Sequence, residues 1–511
     1  MLYKLAAPKK LRIFGFIIFA IFHVSISCKN DLKRGKELSK LHCGGCHVYP
    51  EPNLLDKDSW LKVLPNMGYR MGIKTSELSL ESNKGGQRVL ESAVFPKIPT
   101  LGEEEWAKLQ DFYLKMAPET LESTILPIAT TKKFETLLPH KNWGTPKTTA
   151  IAFDSFTKKL WVSDGNTNHT YCLNEYLEIT DSIYTGIVSD IKFYENTIEI
   201  CDMGSFFPSD DPRGRFMVLD RNIEEKGLGI VDIKLSNLER PTSAFTSNIN
   251  KEKGLETIIT QFGNYLGSFG YFKSNGDYVE LSKRAGALIS YMEDLNHDGT
   301  TDLLVLFGQG DESIWAFYQN ENGEFSGKKI LEFPPTYGSL FFSYIDINSD
   351  GCKDIIYVNG DNADYKPILK PYHGIRIYLQ NCMEASFSLE SFIPLNGSQK
   401  IIAKDFDLDG DIDIAAIAFF PNPTNFYNEN FIYLENMGNM TFKRNRLKDD
   451  IPGRWICMSS FDYDGDGDED LALGAFNSFE IIDHKGLIDS LSSSTVPYTI
   501  LRNKTIEIKK D

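Results

Sequence analysis

One nine-residue pattern recurs through the second half of this 511-residue chain and restricts its fold more than any other feature. It reads Asp294-Leu-Asn296-His-Asp298-Gly299-Thr-Thr-Asp302 and returns as Asp346-Ile-Asn348-Ser-Asp350-Gly351-Cys-Lys-Asp354. Two further copies are Asp405-Phe-Asp407-Leu-Asp409-Gly410-Asp-Ile-Asp413 and Asp462-Tyr-Asp464-Gly-Asp466-Gly467-Asp-Glu-Asp470. Their starts lie 52, 59 and 57 residues apart, and a worn copy, Asn248 to Glu256, begins 46 residues before the first. Self-similarity at such a period means stacked units, each unable to bury its own faces until a neighbour covers them.

Oxygen side chains at positions 1, 3, 5 and 9, with Gly at 6 for a sharp turn, gather hard ligands around one point and suit Ca²⁺ better than a softer metal. An EF-hand is the rival, but it needs a bidentate Glu at position 12, where Val305, Tyr357, Ala416 and Leu473 stand. A β-rich run follows each loop, such as Leu303 to Leu306 and Ile355 to Val358, where an EF-hand would begin a helix. The pattern predicts about four Ca²⁺ ions in loops between strands, in a structural role. A closing signature completes the unit, an aromatic strand, then Asn, Gly and Phe, as in Tyr318 to Phe325 and Tyr433 to Phe442. Loop and signature together resemble the FG-GAP or VCBS repeat. That resemblance implies a seven-bladed β-propeller over about 138–505, with four antiparallel strands per blade. The first two blades lack the loop, and Asp154 and Asp190 stand where it would begin without enough further carboxylates, so counts of six or eight blades stay open beside seven.

The N-terminal part carries a different chemistry. Cys43-Gly-Gly-Cys46-His47 is the spacing at which two thiols add to the two vinyl groups of one porphyrin while the next His lies under the iron. With eight Cys in the chain, the chance expectation for this pentapeptide is about 0.002. A zinc knuckle would need a second ligand pair nearby, and the next His is His140. A redox pair would sit in a βαβ unit, which the flanks do not form. The flanks, about Leu32 to Pro118, resemble a small all-α class I cytochrome c domain. Arg34 to Leu38 reads as a helix leading into the motif, with Leu32, Leu38 and Leu41 on its apolar side. Glu103 to Met116 reads as a closing helix, apolar at Trp106, Leu109, Phe112, Tyr113 and Met116, acidic in its first turn and followed by Pro118. The resemblance implies haem c with Cys43 and Cys46 as covalent attachments and His47 as proximal ligand. A Met thioether serves as distal ligand, Met67 by preference and Met71 as the alternative.

Upstream, Lys4, Lys9, Lys10 and Arg12 precede the apolar run Ile13 to Phe22, a signal-peptide pattern shorter than the ~18 to 20 residues a membrane-spanning helix needs. Ser25-Ile-Ser-Cys28 resembles a lipobox, which implies lipidation at Cys28 and a place in the periplasm or at the outer membrane of a Gram-negative bacterium. The expected division is a signal peptide over 1–27, the cytochrome domain over 28–119, a linker over 120–137, the propeller over 138–505 and a tail over 506–511. A net charge of −17 argues against nucleic acid as a partner, since phosphate binding needs clustered Lys and Arg. Of the propeller cysteines, Cys172 with Cys201 and Cys352 with Cys382 are conceivable disulfides, and buried apolar thiols are the expectation for most.

Three function classes fit. The first is an exported, lipid-anchored cytochrome that transfers electrons between redox proteins, with the propeller as docking or substrate-binding platform. The second is a quinohaemoprotein-like oxidoreductase whose propeller is catalytic, although residues 138–505 hold no Ser/His/Asp or nucleotide-loop constellation. The third is a glycan-binding or adhesion propeller, with Trp143, Phe206, Phe207 and Tyr365 as stacking candidates.

Overall fold

The computed structural model describes residues 30–73, 84–123, 126–139, 143–221, 232–249, 254–363, 367–382, 386–477 and 485–510. The chain separates into two compact units, one of Met1–Ser79 with Phe95–Thr120 and one of Leu80–Val94 with Leu121–Asp511.

The larger unit is a seven-bladed β-propeller. Six blades are complete antiparallel meanders, over 148–184, 188–238, 241–282, 287–332, 339–394 and 398–446. The seventh takes three strands from 455–503 and its fourth from Phe134–Leu137, paired antiparallel with Tyr498–Asn503. The innermost strands of successive blades lie side by side around the ring, and Trp455–Phe461 beside Thr148–Asp154 closes it.

Burial explains the strand sequences. The second strands of blades 4 to 7, Asp302–Phe307, Asp354–Asn359, Asp413–Ala418 and Asp470–Ala475, are buried at every position. Covered on both faces, they read as continuous apolar runs and not as an alternation. The outer strand Phe325–Glu332 has no blade beyond it and is largely exposed or half-buried. Apolar contacts run from blade to blade: Ile356, Val358, Ile375 and Ile377 of blade 5 pack with Ile414, Ala416, Ile432 and Leu434 of blade 6. Fully burying one such side chain contributes about 1.5–3 kcal/mol.

Three expected boundaries move. The expected linker 120–137 contains two paired strands. Ala129–Thr130 adds a fifth, parallel strand to blade 6, and Phe134–Leu137 closes the ring, because the seventh blade has an open edge that only the far end of the chain can pair. The expected tail contains the helix Thr505–Lys510, where the Ile506 N–H donates to Asp468 Oδ2 at 3.0 Å. Residues 80–94, expected within the cytochrome domain, belong to the propeller unit. There the helix α3 is Lys84–Glu91, counting α1 over 30–42 and α2 over Lys57–Arg70 before it. Arg88 of α3 donates to the Asp210 carbonyl at 2.9 Å and pairs with Glu239.

The smaller unit is built on α1, α2 and a helix α4 over Glu103–Met116. Helices α1 and α4 cross at Gly35, where a Cβ would overlap the Lys108 carbonyl and come within 2.7 Å of the Phe112 Cβ. Leu38, Trp60, Leu64, Trp106, Leu109, Phe112 and Tyr113 are buried, whereas Leu41 and Met116 are exposed. The buried face of α1 is therefore Gly35, Leu38 and Ser39, not the expected Leu32, Leu38 and Leu41 stripe. Among the described residues no helix is long and apolar enough to cross a membrane.

Candidate functional site

The four Asp loops each join the first and second strands of a blade, so antiparallel order places all four on one face of the propeller. They share one backbone. Position 4 is left-handed at His297, Ser349, Leu408 and Gly465, with φ of 58°, 60°, 58° and 76°. Position 6 is left-handed at Gly299, Gly351, Gly410 and Gly467, with φ from 83° to 100°. Only the second is reserved to Gly in all four copies, since the larger φ is the harder one for a side chain. Position 1 turns the loop inward: Asp294 accepts the Asp298 and Gly299 N–H groups at 3.1 and 3.0 Å, and Asp346 and Asp405 do the same in their loops.

Position 9 has a second duty that spacing did not reveal. Asp302, Asp354, Asp413 and Asp470 are fully buried. Each accepts the N–H of position 2 (Leu295, Ile347, Phe406, Tyr463) and one N–H at the end of the third strand (Gln319, Gln380, Asn436, Asn503). The carboxylate staples the loop to the blade, and a carboxylate with about four acceptor sites still has capacity for a cation. Glu256, position 9 of the worn copy, keeps the same bond to Ile249 N–H at 3.1 Å; residues 250–253 of that copy lie outside the described residues.

Ligand oxygens converge in two loops. Those of Asp405, Asp407 and Asp413 lie within 4.8 Å of one another, as do those of Asp462, Asp464 and Asp466. Burial first, and neighbouring carboxylates after it, push Asp413 up to about 6, Asp468 to about 6 and Asp470 to about 7. The Asp468 Oδ1 is buried without a hydrogen-bond partner. Crowded oxygens of this kind suit a hard divalent cation. The other loops bring position 3 as Asn296 and Asn348, and each donates to the Asp at position 5 at 2.9 Å.

The choice of Asp or Asn at position 3 follows a neighbour that sequence reading missed. Lys133 Nζ lies 2.5 Å from Asp407, and Arg502 Nη1 lies 3.1 Å from Asp464. The acidic residue stands where Lys133, just before the closing strand, or Arg502, in the third strand of blade 7, brings a positive charge. In blade 1, Arg221 pairs with Asp154, which stands at the first position of the expected loop: its guanidinium lies 2.5 and 3.0 Å from the two oxygens of Asp154. Asp190 differs from expectation, since it lies inside the strand Val188–Phe193 and accepts Ser243 Oγ at 2.9 Å.

Cys352, at position 7 of the second loop, is disulfide-bonded to Cys382. Cys172, Cys201 and Cys457 are buried free thiols. Of the aromatic candidates, Trp143 packs edge-on against Tyr171 at 4.7 Å and Phe206 stacks on Phe476 at 4.1 Å, so both serve packing. Phe207 is exposed, and Tyr365 and Cys28 lie outside the described residues.

In the smaller unit, α1 runs directly into a turn over 43–46. Cys43 is half-buried, Cys46 is exposed, and neither is in a disulfide. Burial pushes the Cys43 thiol up to about 11, which is the reverse of what a disulfide-exchange nucleophile needs. His47 Nδ1 lies 2.9 Å from the Val48 carbonyl, a bond that fixes the ring when Nδ1 donates and turns Nε2 into the metal-binding nitrogen. Beneath the turn, Tyr113 OH donates to the Pro50 carbonyl at 2.8 Å and Trp60 Nε1 to the Pro52 carbonyl at 2.8 Å. Met67 lies in the last turn of α2 and Met71 is its C-terminal cap, four residues on and hence over the same helix face.

Comparison with known proteins bears on the propeller. The FG-GAP-like repeat family matches residues 294–357, from the first Asp loop into the second strand of blade 5. No curated protein matches the chain in sequence. Among solved structures it is similar to a streptogramin B lyase, with 11% identity and a TM-score of 0.45 over 72% of this chain and 97% of that one.

Proposed function

We propose that this chain is an exported c-type cytochrome that holds one haem through Cys43 and Cys46, ligates its iron through His47 and passes single electrons between redox proteins. The observation that carries the reading is the turn at the end of α1. Two thiols at the required spacing, one a protonated half-buried thiol, precede a histidine whose Nδ1 is engaged by a backbone carbonyl. The crossing of α1 and α4 at Gly35, with Trp60 and Tyr113 anchored to the carbonyls after the motif, supports it by giving the turn a rigid base. Haem supplies reversible one-electron chemistry at iron. The protein's part is to fix the His47 ring, to offer the Met67 thioether, with Met71 as alternative, and to keep apolar side chains around the turn. Lipidation at Cys28 would hold the protein at the membrane surface. The propeller, with calcium in its Asp loops, is the docking platform for a redox partner or for a glycan or small-molecule ligand.

The test is expression of the full chain in a host that matures c-type cytochromes. Haem should stay with the denatured polypeptide and give a pyridine haemochrome spectrum, and Cys43→Ala/Cys46→Ala should release it. A chain that matures without covalent haem, or that binds zinc at these cysteines, would sink the reading. Met67→Ala should abolish the Met-to-iron charge-transfer band; a persisting band assigns Met71.

A further inference from the structure

On the propeller face opposite the Asp loops, blades 5 and 6 enclose a small cavity whose polar lining is unbalanced. It lies between the connection that ends at His373, the turn at Asn396, the short helix Phe426–Glu429 and the strand Phe442–Arg446, and has a volume of about 40 Å³. That is room for about three waters. Its one carboxylate is satisfied from within: Glu429 accepts Asn396 Nδ2 at 3.0 Å, the Asn422 N–H at 3.1 Å and Asn425 Nδ2 at 3.1 Å.

The other side is not satisfied. Arg444 spends Nη1 on the Pro394 carbonyl at 2.6 Å, yet its Nε is buried with no partner. His373 is 2% exposed and its Nε2 is also buried with no partner. Leaving one such group unpaired costs about 1–3 kcal/mol, so two in one cavity call for a bound species. The surroundings set its sign: Lys370 also lines the cavity, Arg376 is buried nearby, and burial followed by these two cations holds the His373 imidazole well below its ordinary range. Among the lining residues Glu429 is the one carboxylate and is already saturated; Glu312, near Lys370, is engaged by Gly338 and Ser339.

We infer that this cavity is a binding site for a small monoanion of carboxylate size, held by the Arg444 Nε–H and the His373 imidazole. One oxygen accepts from the Arg444 Nε–H and a second from the His373 Nε2–H, in the tautomer that carries the proton there; the positive surroundings exclude a cation, and a volume of about 40 Å³ is too small for a sugar. The site is independent of the haem and of the Asp loops.

Crystals of the full chain grown without small carboxylates and then soaked in acetate or in bromide test it. Density for acetate, or an anomalous bromide peak, between Arg444 Nε and His373 Nε2 is expected; the two soaks distinguish carboxylate from halide. In solution, calorimetry with acetate should show saturable binding that weakens at least tenfold in Arg444→Met and in His373→Leu. Ordered water alone at full occupancy in both soaks, or titrations unchanged in the two variants, overturns the proposal. The soaks need only the natural sequence, so a variant that fails to fold does not remove the test.

Discussion

Glu312 shows how one side chain can make the whole propeller sensitive to pH. It is 3% exposed and accepts the Gly338 N–H at 3.0 Å, the Ser339 N–H at 2.9 Å and Ser339 Oγ at 2.7 Å, tying the blade 4 connection to the first strand of blade 5. Burial nevertheless pushes its carboxyl up to about 8, from 4.5 in the free side chain. Between those two values the unfolded chain has lost the proton and the folded chain has kept it. The folded state then binds more protons, so stability falls as pH rises through this window, by about 1.4 kcal/mol per pH unit at the steepest. Glu312→Gln should remove that slope. Denaturant titrations at pH 5 and pH 8 should show the natural protein losing stability relative to the variant, and parallel curves would assign the carboxylate a lower value.

At the scale of elements, the small unit depends on one close crossing. A side chain at Gly35 meets the Lys108 carbonyl and Phe112 Cβ, both fixed on α4, so α1 must move away. Gly35→Val should therefore lose the near-ultraviolet signal of Trp60 and Trp106 and the haem spectrum together, while the propeller's unfolding transition stays. A retained signal would show that the helices tolerate a wider crossing. The Asp loops make a separate prediction. Chelation by EDTA should lower the propeller's thermal midpoint by several degrees, since an ion present at about a hundred times its dissociation constant contributes about 2.7 kcal/mol. Added Ca²⁺ should restore it, Asp466→Asn should shrink the effect, and an unchanged midpoint would remove calcium from the account. These loops were legible because a nine-residue pattern of ligands and glycine is local. Their setting was not: Lys133 reaches Asp407 from 274 residues away and Arg221 reaches Asp154 from 67. No local spacing encodes such a pair.

The propeller is held closed by a strand from outside the repeats. Phe134 is buried against Phe406, Phe431 and Tyr433, and Glu135 pairs with Arg502 across the seam. Phe134→Ala should cost about 3–5 kcal/mol in denaturant unfolding, as for a buried aromatic elsewhere. Phe207→Ala, on an exposed ring, should change little, and an equal effect would show that the seam adds nothing. By itself the sequence determined the repeat, its strand-loop-strand grammar, the position of the Asp loops, the helix Glu103–Met116 and the thiol-thiol-imidazole turn. Each is written in residues within about one turn or one hairpin of each other. Only the tertiary structure decided that the expected linker is the closing strand, that residues 80–94 belong to the propeller unit, and that position 9 staples each loop. It alone decided which loops meet a lysine or arginine. Those outcomes depend on which distant groups share a buried space, where burial and charge balance, and not chain proximity, select the partners.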